Sequence, residues 1–285
     1  MSGILSGLES FGLGNLENMS LYESPEEKKA RERKAAEASR PPVVEEQDLL
    51  FDKSYTCPVC DKEFKAKTVR IGRARLTGSD LDLRPKYENI DMLKYDVIMC
   101  PHCGYAALSR YFKFLTSPQM KLIKLNISQA FKPRTEEKEF YTYEDALERY
   151  KLTLVNAIVK RAKPSEKAYI CLKSAWLLRG MGEALEESAQ DYAQKKEECT
   201  KQEDEYLRNA LEGFLAARQT ESFPMCGMDE ATVDYLIAAT AMRFGQFDVA
   251  TKLVSSIILS KATNPRMKNK ALTLKETLLE KIKEK

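Results

Sequence analysis

The chain has 285 residues, with 46 basic against 43 acidic for a net charge of +3, and it is 43% hydrophobic and 31% charged. That length holds one large domain or two modest ones, and so even a charge balance gives no global case for nucleic-acid or membrane binding, so any such case must rest on a local patch. No run of about 18 apolar residues occurs, so no membrane span is expected, and the start Met1-Ser2-Gly3-Ile4-Leu5 lacks the basic region and apolar core of a secretory signal.

A cytoplasmic location is therefore expected, where paired cysteines bind metal more often than they form disulfides. Residues 1–50 read as a flexible, partly helical extension. Ile4, Leu5, Leu8, Phe11, Leu13 and Leu16 are spaced apolar residues in a glycine-containing stretch over 1–23, either a short docking segment or a frayed terminus. Ser24-Pro25-Glu26-Glu27 has the form of a helix start. The stretch from Pro25 to Arg40 is charged at ten of 16 positions and has no apolar stripe, so it reads as a solvated spacer. Pro41-Pro42 ends it, and Val43 to Leu50 reads as a linker.

A small β module is expected over 51–116. Its strand-like runs are Lys67 to Ile71 and Tyr95 to Met99, with turns at Thr77-Gly78-Ser79-Asp80 and Arg84-Pro85. Of seven cysteines, four fall in two matched elements, Cys57-Pro58-Val59-Cys60 and Cys100-Pro101-His102-Cys103. A CxxC turn points two sulfurs at one ion while backbone N–H groups soften their charge. Two such turns complete a tetrahedral four-thiolate site. The metal expected is one structural zinc ion, with a rubredoxin-like iron as its rival. Each proline stiffens its turn, Gly104 permits a left-handed exit, and Phe64 and Tyr105 follow the pairs where they can cover the metal. The 39-residue gap between the pairs exceeds the roughly 15–20 of a compact ribbon and calls for an inserted hairpin or loop. Four sulfurs leave no open position for a catalytic metal. His102, the chain's one histidine, reads as a spacer inside a knuckle that sulfur already fills. Arg70, Arg73 and Arg75 form a locally basic strand that offers nucleic-acid contact, but Asp80, Asp82, Glu88, Asp91 and Asp96 follow closely, and a solvated face is the simpler reading.

From Ser117-Pro118 onward the pattern is helical, giving an α-helical domain over 117–285. Met120, Ile123, Ile127 and Phe131 form one face. The capping box from Thr142 to Asp145 opens a helix carrying Leu147, Tyr150, Leu154 and Ile158, and Pro164 stops it. A helix over 165–179 carries two apolar stripes, and Gly180-Met181-Gly182 breaks it. One elongated helix is predicted over 183–219, its polar middle from Gln194 to Glu205 projecting past the core, with a helix–loop–helix as the alternative. Asp229 and Asn264-Pro265 start later helices, and the last one is lysine-rich on its outer face. Cys171 and Cys199 read as helix-packing residues, and Cys226 as a candidate exposed thiol.

The Gly245-Gln246-Phe247-Asp248 turn followed by Ala250 resembles the inner turn of a tetratricopeptide repeat (TPR), so the helices are expected to be TPR-like. The chain resembles the uncharacterised bacterial domain-of-unknown-function family number 2225. The resemblance rests on Tyr55 through Cys60, on Asp82-Leu83-Arg84-Pro85-Lys86-Tyr87, on Tyr95 through Ala107, on Ala175-Trp176-Leu177 and on Gly227-Met228-Asp229, and it covers roughly residues 50–262. It implies a zinc-ribbon-like module joined to TPR-like helices, and no established activity. Neither a phosphate-binding glycine loop nor a nucleophile elbow is evident. The function expected is a non-enzymatic zinc-binding adaptor whose helical groove binds a protein or peptide. The alternatives are a nucleic-acid-associated protein using Arg70 to Arg75 and a thiol-based redox or metal sensor.

Overall fold

The computed structural model describes residues 8–12, 26, 28–31, 44–135 and 138–284. The chain divides into units of residues 1–44 and 45–285. In the first, Leu8–Phe11 form one tight helical turn, and residues 26 and 28–31 are helical. The expected docking segment and the rest of the charged spacer lie outside the described residues.

The second unit begins with three separate antiparallel hairpins. Strands β1 (Leu50–Thr56) and β2 (Glu63–Val69) pair residue for residue from Leu50–Val69 to Thr56–Glu63. Strands β3 (Leu76–Ser79) and β4 (Pro85–Tyr87) pair with a register shift between Leu76 and Gly78. Strands β5 (Val97–Met99) and β6 (Ala106–Leu108) form the third hairpin. The segment read as a linker thus ends in β1, and the two stretches read as turns are mostly strand. The reason is exposure. In β1 only Leu50 is buried and Tyr55 half-buried, and β3 is exposed throughout, so neither shows the period-two alternation that betrays a strand. The basic Arg70–Arg75 segment is not a strand. Strand β2 ends at Val69, and the amides of Arg73 and Ala74 both turn back onto the Arg70 carbonyl.

Helices follow. Helix α1 (Ser117–Ile123) widens into a π-type turn over Lys124–Ser128. Then come α2 (Tyr143–Val159), α3 (Pro164–Glu183), α4 (Tyr192–Thr220), α5 (Glu230–Arg243), α6 (Phe247–Leu259) and α7 (Pro265–Lys283). The expected capping chemistry is in place. Thr142 Oγ1 accepts from the Asp145 amide at 3.2 Å, Asp229 from Thr232 at 2.9 Å, and Asn264 from Met267 at 2.9 Å. Pro164 opens α3 rather than ending α2.

Two expectations for this half change. Helix α3 runs through Gly180 and Gly182, and at Gly180 the missing side chain serves close packing. A Cβ on Gly180 would sit 2.7 Å from Asp91 Oδ2, and one on Gly182 would sit 3.4 Å from Cys199 Cβ. The long helix starts only at Tyr192, after turns over 184–191, and spans 29 residues, about 43 Å. Its polar middle does not project past the core, since Cys199 and Glu203 are buried there.

The fold is a small β module followed by an α-helical domain, and hairpin β5–β6 joins the two. Strand alternation divides its side chains. Val97, Met99, Ala106 and Leu108 enter the main core with α2 to α7, while Ile98 and Ala107 face the cysteines. Among the described residues no helix is long and apolar enough to cross a membrane.

Candidate metal centre

Two hairpins each carry one CPxC knuckle in the six-residue loop between their last paired residues, Thr56–Glu63 and Met99–Ala106. The loops repeat the same bonds. In the first, the Asp61 amide donates to Cys57 O at 2.9 Å and the Cys57 amide to Lys62 O at 3.0 Å. In the second, Gly104 N donates to Cys100 O at 3.1 Å and Cys100 N to Tyr105 O at 2.8 Å. Both loops leave through a left-handed residue, Asp61 at φ 60° and Gly104 at φ 73°. Asp tolerates that conformation better than most residues.

The knuckles face each other. Cys57 and Cys103 sulfurs are 3.6 Å apart and Cys60 and Cys100 sulfurs 3.7 Å apart, with all four within 4.8 Å of one another. Four sulfurs bound at about 2.3 Å around a tetrahedral ion lie about 3.8 Å apart, so these four residues fit such an ion. Cys57 and Cys100 are fully buried. The Val59 amide donates to Cys57 Sγ at 3.4 Å.

The sulfurs also perturb one another. Hydrogen bonding with Cys100 raises the pKa of both Cys57 and Cys103, and hydrogen bonding with Cys103 lowers that of Cys100. One thiolate is thus favoured at the cost of ionising its neighbours. A central dication removes that conflict by stabilising all four as thiolates.

The cover over the site is aromatic. Tyr105 stacks on Phe112 at 5.0 Å, and Phe112 meets Phe64 and Tyr55 edge-on at 5.9 and 5.8 Å. Phe64 and Tyr105 thus lie where the sequence placed them. Phe112, which bridges them, carries no signal in the local motif. Ile123 and Ile127 close the same cluster. Helix α2 reaches the second knuckle through Asn156, whose Nδ2 donates to the Gly104 carbonyl at 3.0 Å. His102 Nε2 lies 3.3 Å from the Glu63 carbonyl and so links the two knuckles.

The other singled-out residues lie elsewhere. Arg70 Nε donates to Leu50 O at 3.1 Å with its guanidinium over Phe51, Arg73 sits in the exposed turn, and Arg75 is 3.8 Å from Glu88. Cys226 is buried, not exposed. Its thiol donates to Ser165 O at 3.3 Å, and burial raises its pKa.

One group escaped the sequence reading. Two of the acids that follow the basic segment grip α3. Asp82 accepts from Arg179 at 2.6 and 2.9 Å and from Trp176 Nε1 at 3.0 Å, and Asp80 accepts from Arg179 at 3.0 Å. Arg179 also reaches buried Glu203 on α4 at 2.8 Å, and Glu203 accepts from Arg243 on α5 at 2.9 Å. Burial opposes the charge on Arg179, but hydrogen bonds to Asp82 and the fields of Asp82 and Glu203 outweigh it and raise its pKa. Glu203 lies in the polar stretch from Gln194 to Glu205, so nothing local in the sequence marked this network.

A family model described as an uncharacterized protein conserved in bacteria (DUF2225) matches residues 50–278. No curated protein and no solved structure matches the chain.

Proposed function

We propose a function from the premise that the chain belongs to this bacterial family: it is a non-enzymatic cytoplasmic adaptor, held in shape by one structural zinc ion, whose TPR-like helices bind a protein or peptide. The observation that carries the proposal is the buried sulfur tetrahedron of Cys57, Cys60, Cys100 and Cys103. Zinc, which has no redox chemistry and imposes no geometry beyond the tetrahedron, suits a purely structural role in this four-thiolate set, which also accepts iron. A metal with four protein ligands offers no position to a substrate, which supports a structural role and a non-enzymatic chain. What zinc supplies here is attachment. It ties the β1–β2 hairpin, whose first strand is largely exposed, to β5–β6, which is part of the main core.

Two features support the partner-binding half. Gly245 takes φ 71° between α5 and α6 and Ala250 is fully buried behind it, as the inner turn of a TPR requires. The last two helices also keep large apolar side chains in solvent, Leu259 at 80% exposure together with Leu272, Leu279 and Ile282. Stacked helix pairs present such residues to peptides.

Elemental analysis of the purified full chain is expected to give one zinc per chain, and a strong chelator to lower its melting temperature. No zinc together with an unchanged melt ends the structural-zinc reading. The immobilised full chain is expected to retain a specific protein from bacterial lysate, and retention of none ends the adaptor reading.

A further inference from the structure

We infer that a cleft between the β3–β4 hairpin and the start of α7 binds an acidic peptide segment bearing an aliphatic side chain. This rests on the adaptor reading and gives its partner a chemistry. The cleft has a volume of about 370 Å³. Leu76, Leu83, Pro85 and Met267 give it an apolar lining, and Arg266 and Lys270 are its charged residues. No carboxylate lines it. A second cleft of the same volume makes the contrast, for there Arg84, Lys86 and Lys94 are balanced by Glu46, Asp91 and Glu183.

The acid next to the hairpin strand, Asp80, is already committed to Lys86 at 2.9 Å and Arg179 at 3.0 Å. Lys270 Nζ reaches only a neutral partner, Ser79 Oγ, at 3.1 Å. The bias extends beyond the cleft. From residue 249 to 275 the sequence has no acidic residue and six cations, Lys252, Lys261, Arg266, Lys268, Lys270 and Lys275. Among the described residues none of the six makes an ion pair. In a chain of net charge only +3 this is a positively charged stretch of sequence, Arg266 and Lys270 stand one helical turn apart at the cleft, and the N-terminus of a 19-residue helix adds to their charge.

Charge complementarity calls for an anionic partner, and the lining calls for an aliphatic group beside the charge. A peptide supplies both. A nucleic acid fits less well, because the cleft offers no aromatic ring on which a base can stack.

The test is an array of random octapeptides probed with the full, metal-loaded chain, then with a variant carrying Arg266→Glu and Lys270→Glu. Arg266 is exposed and Lys270 half-buried, and an unchanged thermal melt verifies the fold. If that variant fails to fold, Leu76→Ser, at an exposed position, replaces it. Peptides combining several acids with Leu, Ile or Met are expected to be enriched among binders, and their affinity to fall at least about tenfold in the charge-reversed variant. Captured peptides with no acidic bias, or binding unchanged in the variant, overturn the cleft and leave the adaptor reading standing. Tighter binding of an oligonucleotide of matched charge, lost in the same variant, overturns it in favour of nucleic acid. No captured peptide and no retained protein retires both readings.

Discussion

Hairpin β1–β2 runs seven residues per strand and leaves most of its first strand in solvent, whereas β5–β6 runs three per strand and is buried on both faces. Both end in the same loop, with the same pair of backbone bonds and a left-handed exit. The chain therefore contains one ligand module in two settings. The inner copy is held by the main core whether or not a cation is present. The outer copy packs through Leu49, Leu50 and Val69 with Ile90, Tyr95 and Tyr141, and through Phe64 and Ala66 in the aromatic cover, and its remaining tie is the facing sulfurs. Hairpin β3–β4 uses a third means, since it grips α3 through Asp80 and Asp82 on Arg179 and through Arg84 on Glu183 at 2.7 Å. On the metal-binding reading proposed above, the three hairpins are thus fastened chiefly by sulfur and its aromatic cover, by charge and by apolar burial.

Metal removal is the largest way to break this comparison. Structural zinc is worth about 10–16 kcal/mol in isolated finger peptides, and here the core carries part of that role. Chelation, or Cys60→Ser, is expected to strip amide-exchange protection from residues 50–69 while 97–99 and 106–108 stay protected. Simultaneous loss at both hairpins shows that the metal also organises the inner one, and the contrast fails. The second largest effect belongs to β3–β4. Arg179→Ala takes the shared partner from Asp82 and Glu203, but Trp176 and Arg243 stay bonded to them, so the loss is expected at or below the lower end of the about 3–5 kcal/mol of a fully buried pair. Urea unfolding measures the loss. Exchange is expected to rise over 76–87 and not over 50–69.

The same contrast explains what the sequence made legible. The ligands were readable because CxxC spacing is local, and the helix starts because caps lie within three residues of what they cap. Hairpin β5–β6 was half visible, since a strand buried on both faces reads as an apolar run, Val97-Ile98-Met99. Strands β1 and β3 left no pattern, because exposed positions accept any side chain. Gly180 and Gly182 read as a break because their neighbours, Asp91 and Cys199, come from distant segments. The polar middle of α4 was misread for the same reason, as the partners of Glu203 lie 24 and 40 residues away. Phe112, the keystone of the aromatic cover, joins the cysteines only through tertiary structure.

The left-handed exits give a sharper and smaller test. At Gly104 a Cβ would lie 2.4 Å from the Phe131 ring, so Gly104→Ala meets both the unfavourable φ and a clash, together about 3 kcal/mol. At Asp61, also left-handed, Asp61→Gly relieves the backbone and is expected to change stability by less than about 1 kcal/mol. Denaturant midpoints of the two variants measure the inequality. Equal penalties show that the two knuckles are embedded alike.

Acid separates charge from metal most gently. Asp80 is partly desolvated, yet its bonds to Lys86 and Arg179 hold its pKa below the ordinary 3.8, and Arg84 and Lys86 hold Glu183 below 4.5. A carboxyl depressed in the folded state stabilises above its unfolded pKa, and that contribution is lost as pH falls through the folded value. The two acids thus stabilise fully above about pH 4.5 and progressively less below it. Asp91 opposes them. Its desolvation raises its pKa, so it takes up a proton more readily folded than unfolded and favours the fold as pH drops. Two against one, the hairpin is expected to loosen as pH falls below about 4, with exchange rising at 76–87. Bound zinc, measured in the same samples, separates this from metal release, because only metal release loosens 50–69. Exchange at 76–87 that is flat down to the acid unfolding of the whole chain would show that β3–β4 is held by shape and not by charge.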